Sequence, residues 1–220
     1  MADKTYTLKI ERGCDRWQDF SYTASDDRDT VITALLAIGE VEFECSCLQK
    51  KCGACAVVVN SRPMLACDAR LIEVADKKSV IRVTPLKKFP GVRDLIVDRS
   101  IMRENLKTIR GWLDAEAVHR DRYYGLSYDS SRCMQCGICL EVCPNFCAGS
   151  KFMGTASAAV LTRLLSELPV EERGLLEKNF REHVYAGCGK SLACRDICPA
   201  GIDVDGMLAA SVAMAVWKRG

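Results

Sequence analysis

Apolar and polar side chains alternate along the first residues of the chain, at Tyr6, Leu8 and Ile10. A second, aromatic-rich stretch covers residues 17–22 after a turn at Gly13. Alternation with a period of two is typical of half-buried strands. The pattern therefore predicts two strands joined by a turn.

The next residues predict one helix and three further strands. Asp29 or Thr30 is a candidate N-cap for a helix over Val31–Ile38, which Gly39 would end. Apolar runs predict strands at Ala56–Val59, at 64–66 after a turn over 60–63, and at 80–83. This order predicts a small α+β domain of β-grasp type.

Helical periodicity replaces the strand pattern from about residue 94, where apolar residues recur from Leu95 to Leu113. Later helices are predicted over 156–168, 170–184 and 205–217. The segment 84–94 contains two prolines and a glycine and is predicted to connect two domains. We therefore expect an α+β chain with a β-grasp domain over 1–93 and an all-α domain over 94–220.

Composition adds one unusual feature, which is 14 cysteines among 220 residues. The net charge is only +2, which argues against a nucleic-acid-binding arm or a polybasic membrane patch. The polar N-terminus has no signal-peptide pattern, and no apolar run reaches the ~18 residues of a membrane span. In the reducing compartment that this predicts, many cysteines indicate metal or redox chemistry.

The first cysteine group has the C-x4-C-x2-C…C spacing of a plant-type 2Fe-2S site. A tight loop supplies three thiolates, at Cys47, Cys52 and Cys55, and a returning hairpin supplies Cys67. A zinc site is the alternative, but zinc sites favour paired C-x2–4-C knuckles, and this triplet with one distant cysteine differs from that pattern.

The second group has the C-x2-C-x2-C-x3-C-P spacing of bacterial ferredoxins, whose fourth cysteine binds the other cluster of a two-cluster module. Here the second half of such a module is a run with only three cysteines, which ends in Cys198-Pro199. Crosswise pairing predicts one 4Fe-4S cluster on Cys133, Cys136, Cys139 and Cys198. It leaves Cys143, Cys188 and Cys194 for another cluster.

That last cluster is one thiolate short, because Ser191 stands where the motif has a cysteine. An alkoxide is a poor iron ligand beside thiolates, so we expect a 3Fe-4S cluster. A 4Fe-4S cluster with Ser191 or Cys147 as fourth ligand is the alternative.

Three cysteines stay unassigned. Cys14 and Cys45 are expected to be small buried apolar residues, and Cys147 is expected to be structural. His119 and His183 belong to no catalytic pattern, and no nucleotide-binding motif is present. The chain is thus predicted to carry electrons and to have no substrate site of its own.

This ordered set of three cluster motifs resembles the iron–sulfur subunits of succinate dehydrogenase and fumarate reductase over essentially the whole chain. The resemblance includes Pro90 to Ser100, the Cys143-Pro144-Asn145-Phe146 segment, and Phe152-Met153-Gly154. It implies a flavoprotein partner with covalent FAD and membrane-anchor subunits with quinone, haem b being an optional cofactor of the anchor. It also implies a peripheral position on the cytoplasmic face of the cell membrane, with Pro144 near the quinone.

Some residues depart from that family. Succinate-oxidising members often have two tryptophans where this chain has Cys147 and Ala148, and often a histidine where it has Gly189. Gln49 and Lys50 replace the usual Glu-Gly. The direction of the reaction and the type of quinone therefore stay open, as does an acceptor other than ubiquinone.

Three alternatives differ in class. The small iron–sulfur subunit of a molybdenum hydroxylase shares the first motif but has a second 2Fe-2S site in place of the ferredoxin run. A heterodisulfide-reductase-like carrier has two complete ferredoxin runs and no β-grasp domain. A free carrier, or a subunit serving a related flavoprotein reductase with a non-quinone partner, shares all the motifs.

Overall fold

The computed structural model of the chain describes residues 4–13, 16–118 and 120–217. These residues form two compact units, one up to Asp98 and one from Arg99 onwards. Cys14 and His119, both considered above, lie outside the described residues.

The described part of the first unit contains seven strands and two helices. They are β1 (Lys4–Glu11), β2 (Trp17–Ala24), α1 (Val31–Ile38), β3 (Ala56–Val59), β4 (Arg62–Leu65), α2 (Leu71–Val74), β5 (Val80–Thr84), β6 (Gly91–Arg93) and β7 (Ile96–Val97). Five strands form a mixed sheet in the order β2-β1-β5-β3-β4, and β6 and β7 form a separate hairpin. Strands β1 and β5 are parallel and the other neighbours are antiparallel.

Helix α1 occupies the predicted range. Thr30 and Thr33 form a capping box at its N-terminus, and Gly39 ends it in the left-handed conformation at φ +68°. The core of this unit contains Leu8 and Ile10 of β1, Leu35 of α1, and Ile81 and Val83 of β5, none of which is exposed to solvent. The mixed sheet with one main helix confirms the predicted α+β class.

The turn between β3 and β4 is tighter than predicted. Val59 pairs with Arg62, so the loop consists of Asn60 and Ser61, with φ +46° and +68°. Two successive positive φ values are typical of the two-residue hairpin turn that matches the twist of the sheet. The predicted turn over 60–63 is wrong because Arg62 and Pro63 already belong to β4, an edge strand that tolerates proline.

The described part of the second unit is helical, as predicted. Its helices are α3 (Ser100–Thr108), α4 (Tyr124–Ser131), α5 (Ile138–Glu141), α6 (Gly154–Glu167), α7 (Gly174–Phe180) and α8 (Val204–Ala215). Helix α6 contacts each of the other five and is buried on nearly all sides. Fully buried side chains that pack in this unit include Ile109, Leu161, Leu165 and Phe180.

Two helix predictions need correction. Helical periodicity does not begin at Leu95, because Ile96 and Val97 pair with β6 and α3 starts at Ser100. The helix predicted over 170–184 is interrupted. It consists of a 3-10 turn at Val170–Glu172, then α7, then a π-helical stretch at Arg181–Tyr185.

Two arginines contact the end of α6, just before the interrupted stretch. Arg173 is buried, and its Nε donates to the Leu168 carbonyl oxygen at 3.1 Å. Arg120 donates to the same oxygen at 2.9 Å. The last carbonyl groups of a helix have no hydrogen-bond donor within the helix. Here the two guanidinium groups are the donors to the Leu168 carbonyl. Within the described residues, no helix combines the length and apolar character needed to cross a bilayer.

Candidate metal centres

The loop between α1 and β3 wraps around sulfur atoms. The backbone N–H groups of Gln49 and Lys51 donate to Cys47 Sγ at 3.4 and 3.3 Å, and that of Lys50 donates to Cys67 Sγ at 3.3 Å. Leu48 and Lys50 have positive φ values, of 55° and 58°. Such turns point successive N–H groups inward and create a concavity suited to negative charge.

The β3–β4 hairpin brings the other thiols of this loop together. Cys55 precedes β3 and Cys67 follows β4, and the N–H of Ala66 donates to the Cys55 carbonyl at 2.9 Å. The Cys55 and Cys67 thiols interact with each other, and so do those of Cys47 and Cys52. All four thiols that sequence spacing assigns to a 2Fe-2S site therefore belong to one loop and one hairpin.

The thiols of this first site differ in acidity. Hydrogen bonds from the N–H groups of Gln49 and Lys51 lower the pKa of Cys47 to about 7. Burial raises the pKa of Cys55 to about 12. A buried thiolate is costly without compensating positive charge, and a coordinated metal deprotonates a thiol outright. The donor set therefore fits iron ligation.

In the second unit, four cysteines line a small cavity of about 30 Å³. They are Cys133, Cys136, Cys139 and Cys198. Arg132 holds the Cys198 segment against α4, because its guanidinium donates to the carbonyls of Ala200 and Gly201 at 2.7 and 3.1 Å. These are the four residues that the crosswise pairing assigns to a 4Fe-4S cluster.

Burial dominates the acidity of these thiols. It raises the pKa of Cys136 to about 11 and that of Cys139 well above its ordinary range. The neighbouring cysteines add to the effect, because two thiolates close together repel. Several buried thiols facing one cavity fit a cationic iron core that takes them as thiolates.

A larger cavity of about 300 Å³ lies elsewhere in the second unit. Cys143, Cys188 and Cys194 line it, and so does Ser191. Burial raises the pKa of Cys194, and a hydrogen bond with Thr155 opposes the shift. This cavity contains the three cysteines that spacing leaves for the last cluster.

Ser191 and Cys147 were the two candidates for a fourth ligand here, and they lie in different places. Ser191 is on the cavity wall, where its Oγ accepts from the Ala193 N–H at 3.5 Å. Cys147 is exposed and lies outside the lining residues. The geometry therefore favours Ser191 over Cys147 as the side chain nearest the missing position.

Gly189 also lies in the wall of this cavity. A Cβ at Gly189 would lie 2.8 Å from Nδ2 of Asn145, and that amide donates to the Gly187 carbonyl at 2.8 Å. A larger side chain would displace Asn145, so the absence of a side chain at 189 matches the local packing.

The remaining candidates lie outside these cavities. Pro144 is exposed, although its neighbour Asn145 lines the large cavity. Cys45 is exposed, so the expectation of a buried apolar residue is wrong: it lies in the irregular loop before Cys47, where no element covers it. His183 connects two segments of the second unit, with Nδ1 at 3.0 Å from the Lys151 carbonyl oxygen.

Spacing did not reveal which side chains approach the sulfurs. Gln135 is the clearest case, with Nε2 at 3.3 Å from Cys133 Sγ. Among the described residues, no three His, Cys, Asp or Glu side chains converge closely enough to bind one metal ion. The fit to metal therefore rests on which thiols share each site and on the N–H groups around them.

Comparison with known proteins gives two family matches and several relatives. Residues 5–104 match a 2Fe-2S iron–sulfur cluster binding domain, and residues 129–202 match a 4Fe-4S dicluster domain. The succinate dehydrogenase iron–sulfur subunit of Bacillus subtilis is 36% identical over 181 residues, covering 77% of this chain and 70% of the relative. The fumarate reductase iron–sulfur subunit of Mycobacterium tuberculosis is 28% identical over 185 residues, covering 77% and 72%.

The fold has a counterpart among solved structures. A chain of the Mycobacterium smegmatis Sdh1 complex in the apo form superposes with a TM-score of 0.79 at 23% identity, covering 96% of this chain and 97% of that one. This similarity concerns the fold, and the sequence matches concern the family. Together with the three cysteine groups, they show that the chain belongs to the family of succinate dehydrogenase and fumarate reductase iron–sulfur subunits.

Proposed function

We propose that this chain carries electrons in a succinate dehydrogenase or fumarate reductase complex, between the FAD of a flavoprotein subunit and quinone at a membrane anchor. The observation that carries the proposal is the distribution of eleven cysteines among three separate sites. One site belongs to the first unit and two belong to the second, in the order that the two family matches follow.

The proposed ligand sets follow these sites. The proposed domains are a 2Fe-2S domain over residues 1–93 and a two-cluster domain over residues 94–220, and the two compact units divide five residues later, after Asp98. The 2Fe-2S ligands are Cys47, Cys52, Cys55 and Cys67; the 4Fe-4S ligands are Cys133, Cys136, Cys139 and Cys198; the 3Fe-4S ligands are Cys143, Cys188 and Cys194. The small cavity and the large cavity support the last two sets, because each contains the thiols assigned to it.

Besides the cysteine ligands, other residues of the chain would stabilise the bound clusters and shield them from solvent. When bound, clusters in series transfer single electrons and so connect a two-electron flavin with a two-electron quinone. The Gln49 and Lys51 N–H groups stabilise negative charge on Cys47 Sγ. Cys136 is buried and Cys139 is half-buried, which limits the contact of their sulfurs with solvent. We assign no succinate or fumarate site to this chain.

The third site is proposed to hold a 3Fe-4S cluster. Ser191 supports this, because it occupies the cavity wall with a hydroxyl in place of the fourth thiolate. Pro144 is proposed to lie near the quinone, since its neighbour Asn145 lines the same cavity. The partners are a flavoprotein and a membrane anchor with quinone and optional haem b, with the chain peripheral on the cytoplasmic face of the membrane.

The test is purification of the intact complex through a tag on this chain, without exposure to oxygen. We expect a flavin-containing subunit to copurify, together with about nine iron atoms per copy of this chain. EPR spectra should show a 3Fe-4S signal in the oxidised protein and a 2Fe-2S signal after reduction. Zinc in place of iron would overturn the cluster assignment, and isolation without a flavoprotein would overturn the respiratory role.

A second candidate function keeps the clusters but changes the final acceptor. The family resemblance favours it, because Gly189 lies in this cavity wall at the position where succinate-oxidising members are expected to have a histidine. The chain would then serve a flavoprotein reductase whose partner is a protein or small carrier. Electron transfer from the reduced complex to ubiquinone and menaquinone analogues distinguishes the two, since this second function predicts no reaction with either.

A further inference from the structure

Gln135 lies between the first two cysteines of the ferredoxin run and approaches the first of them. Its Nε2 is 3.3 Å from Cys133 Sγ and 3.1 Å from the carbonyl oxygen of Ala156 on α6. The residue has φ +52°, a left-handed conformation that non-glycine residues seldom adopt. Its side chain is half-buried beside the small cavity, whose lining it joins.

The two contacts determine the orientation of the amide. A carbonyl oxygen and a cysteine sulfur ligating a metal both accept hydrogen bonds, so the NH2 end must face them and the oxygen must face away. One N–H is used by Cys133 Sγ and the other by Ala156. Because Ala156 belongs to the buried helix α6, its carbonyl holds the same NH2 group that donates to the sulfur.

Gln135 acts on the same sulfur through its main chain as well. The backbone N–H and the side-chain amide of Gln135 both hydrogen-bond to Cys133. At the first site the donors to Cys47 Sγ are backbone groups, which side-chain substitution leaves in place. At Cys133 one of the donors is a side chain and can be removed by itself.

We propose that the Gln135 side chain raises the reduction potential of the cluster bound by Cys133, Cys136, Cys139 and Cys198. The inference rests on the proposed ligand set. Reduction adds one electron to the cluster and breaks no bond, so the negative charge on its sulfurs increases. A hydrogen bond to a cluster sulfur favours the more negative form and therefore the reduced state. Gln135 is thus a positioning and tuning residue.

The test is a potentiometric EPR measurement on the intact complex, with dithionite as reductant. Gln135→Met keeps the length of the side chain and removes both donors. At the wild-type midpoint potential, we expect the ratio of reduced to oxidised cluster to fall about two- to tenfold, the equilibrium factor of one net hydrogen bond. The 2Fe-2S and 3Fe-4S midpoints should stay unchanged, because Gln135 contacts neither site.

Two further variants keep the test decisive. Met134→Leu changes an apolar residue lining the same cavity, removes no donor, and should leave the midpoint unchanged. Gln135→Asn shortens the amide by one methylene and suits the left-handed backbone, so it serves if Gln135→Met loses the cluster. A 4Fe-4S signal with an unshifted midpoint in either Gln135 variant overturns the inference and leaves the proposed function intact. If the wild-type complex shows no 4Fe-4S signal, the ligand assignment itself is wrong.

Discussion

The hydroxyl of Thr162 on α6 lies 2.5 Å from that of Ser211 on α8, and neither side chain is exposed to solvent. Each hydroxyl also approaches a carbonyl of its own helix at 2.7 Å, Ala158 for Thr162 and Met207 for Ser211. The two hydroxyl protons are thus shared among three contacts, which are the two carbonyls and the contact between the hydroxyls. The shared protons link the two helices. A polar link of this kind fixes the register of α6 against α8.

Replacing Ser211 tests this link. Ser211→Ala removes the interhelical contact but leaves Thr162 its Ala158 acceptor, so no buried donor is orphaned. We expect the free energy of unfolding to fall by about 1 kcal/mol and Tm by ~2–4 °C, measured by anaerobic thermal denaturation. The control is Ser131→Ala, which removes an exposed hydroxyl bound only to the Tyr128 carbonyl. If the two substitutions lowered the free energy of unfolding equally, the contact between Thr162 and Ser211 would contribute no more to stability than an exposed hydroxyl does.

Ser191→Cys tests the third metal site. A thiolate at the cavity wall should complete the ligand set, so the site would bind a 4Fe-4S cluster. We expect the oxidised 3Fe-4S EPR signal to disappear and the iron content to rise by about one atom per chain. Cys147→Ser is the control and should leave the signal unchanged, since Cys147 lies outside the cavity lining. Persistence of the signal in Ser191→Cys contradicts the assignment.

Two glycines near the same cavity should differ in their tolerance of a methyl group. A Cβ at Gly187 would lie 2.5–2.6 Å from the Cδ2, Cβ and Cγ atoms of Phe152, whose Cβ cannot move without the backbone. A Cβ at Gly189 would meet the end of the Asn145 side chain, which can rotate away. We expect Gly187→Ala to cost ~1–3 kcal/mol of stability and to reduce the 3Fe-4S signal.

Gly189→Ala is the matched comparison and should cost less than about 1 kcal/mol, the net value of the hydrogen bond from Asn145 to the Gly187 carbonyl. Thermal denaturation and the EPR intensity of the oxidised protein measure both variants. A larger loss in Gly189→Ala than in Gly187→Ala would contradict the packing described for this loop.

Asp94 gives a pH-dependent prediction in the first unit. Its carboxylate accepts from Arg12 Nε and from the Glu42 N–H, both at 3.0 Å, and only 7% of the side chain is exposed. Burial acts to raise its pKa, but these hydrogen bonds outweigh burial and hold the pKa below its ordinary value of 3.8. The stabilisation is therefore present above the unfolded-state pKa and is lost as pH falls through the folded-state pKa.

Asp94→Asn should therefore be less stable than the wild type at neutral pH, and the difference in Tm should shrink between about pH 5 and pH 3. Cluster loss in acid affects both proteins, so the comparison isolates the carboxylate. Asp19→Asn, which removes an exposed partner of Lys9, serves as the control. A Tm difference that stays constant over this range would contradict the role of Asp94.

Much of the fold follows from periodicity, and the failures have physical causes. Helix α1 and strand β3 occupy their predicted ranges, because each is an almost continuously apolar run between clear turn residues. The short β3–β4 turn was missed because Asn60 and Ser61 both adopt the left-handed conformation, which local propensity does not reveal. The 3-10 turn before α7 lies beside the buried Arg173, whose hydrogen bond to the Leu168 carbonyl is not visible in helical periodicity.

For the metal sites too, some features can be predicted from the sequence and others require the structure. Spacing predicts which cysteines belong to each cluster, and those ligand sets stay predictions for the EPR measurements to test. The hydrogen bond from Gln135 to Cys133 was not predictable, because it requires a positive φ at a glutamine and the position of α6. The exposure of Cys45 likewise depends on which elements fail to cover its loop.

The two-residue turn between β3 and β4 has a consequence for biosynthesis. The turn returns the chain at once from β3 to β4, so the four thiols proposed for the first centre lie within residues 47–67, and β5 completes the sheet of the first unit. The two centres of the second unit interleave residues 133–143 with 188–198, across helices α6 and α7. On the ribosome, all four proposed 2Fe-2S ligands are therefore synthesised before the first cysteine proposed for either of the other clusters.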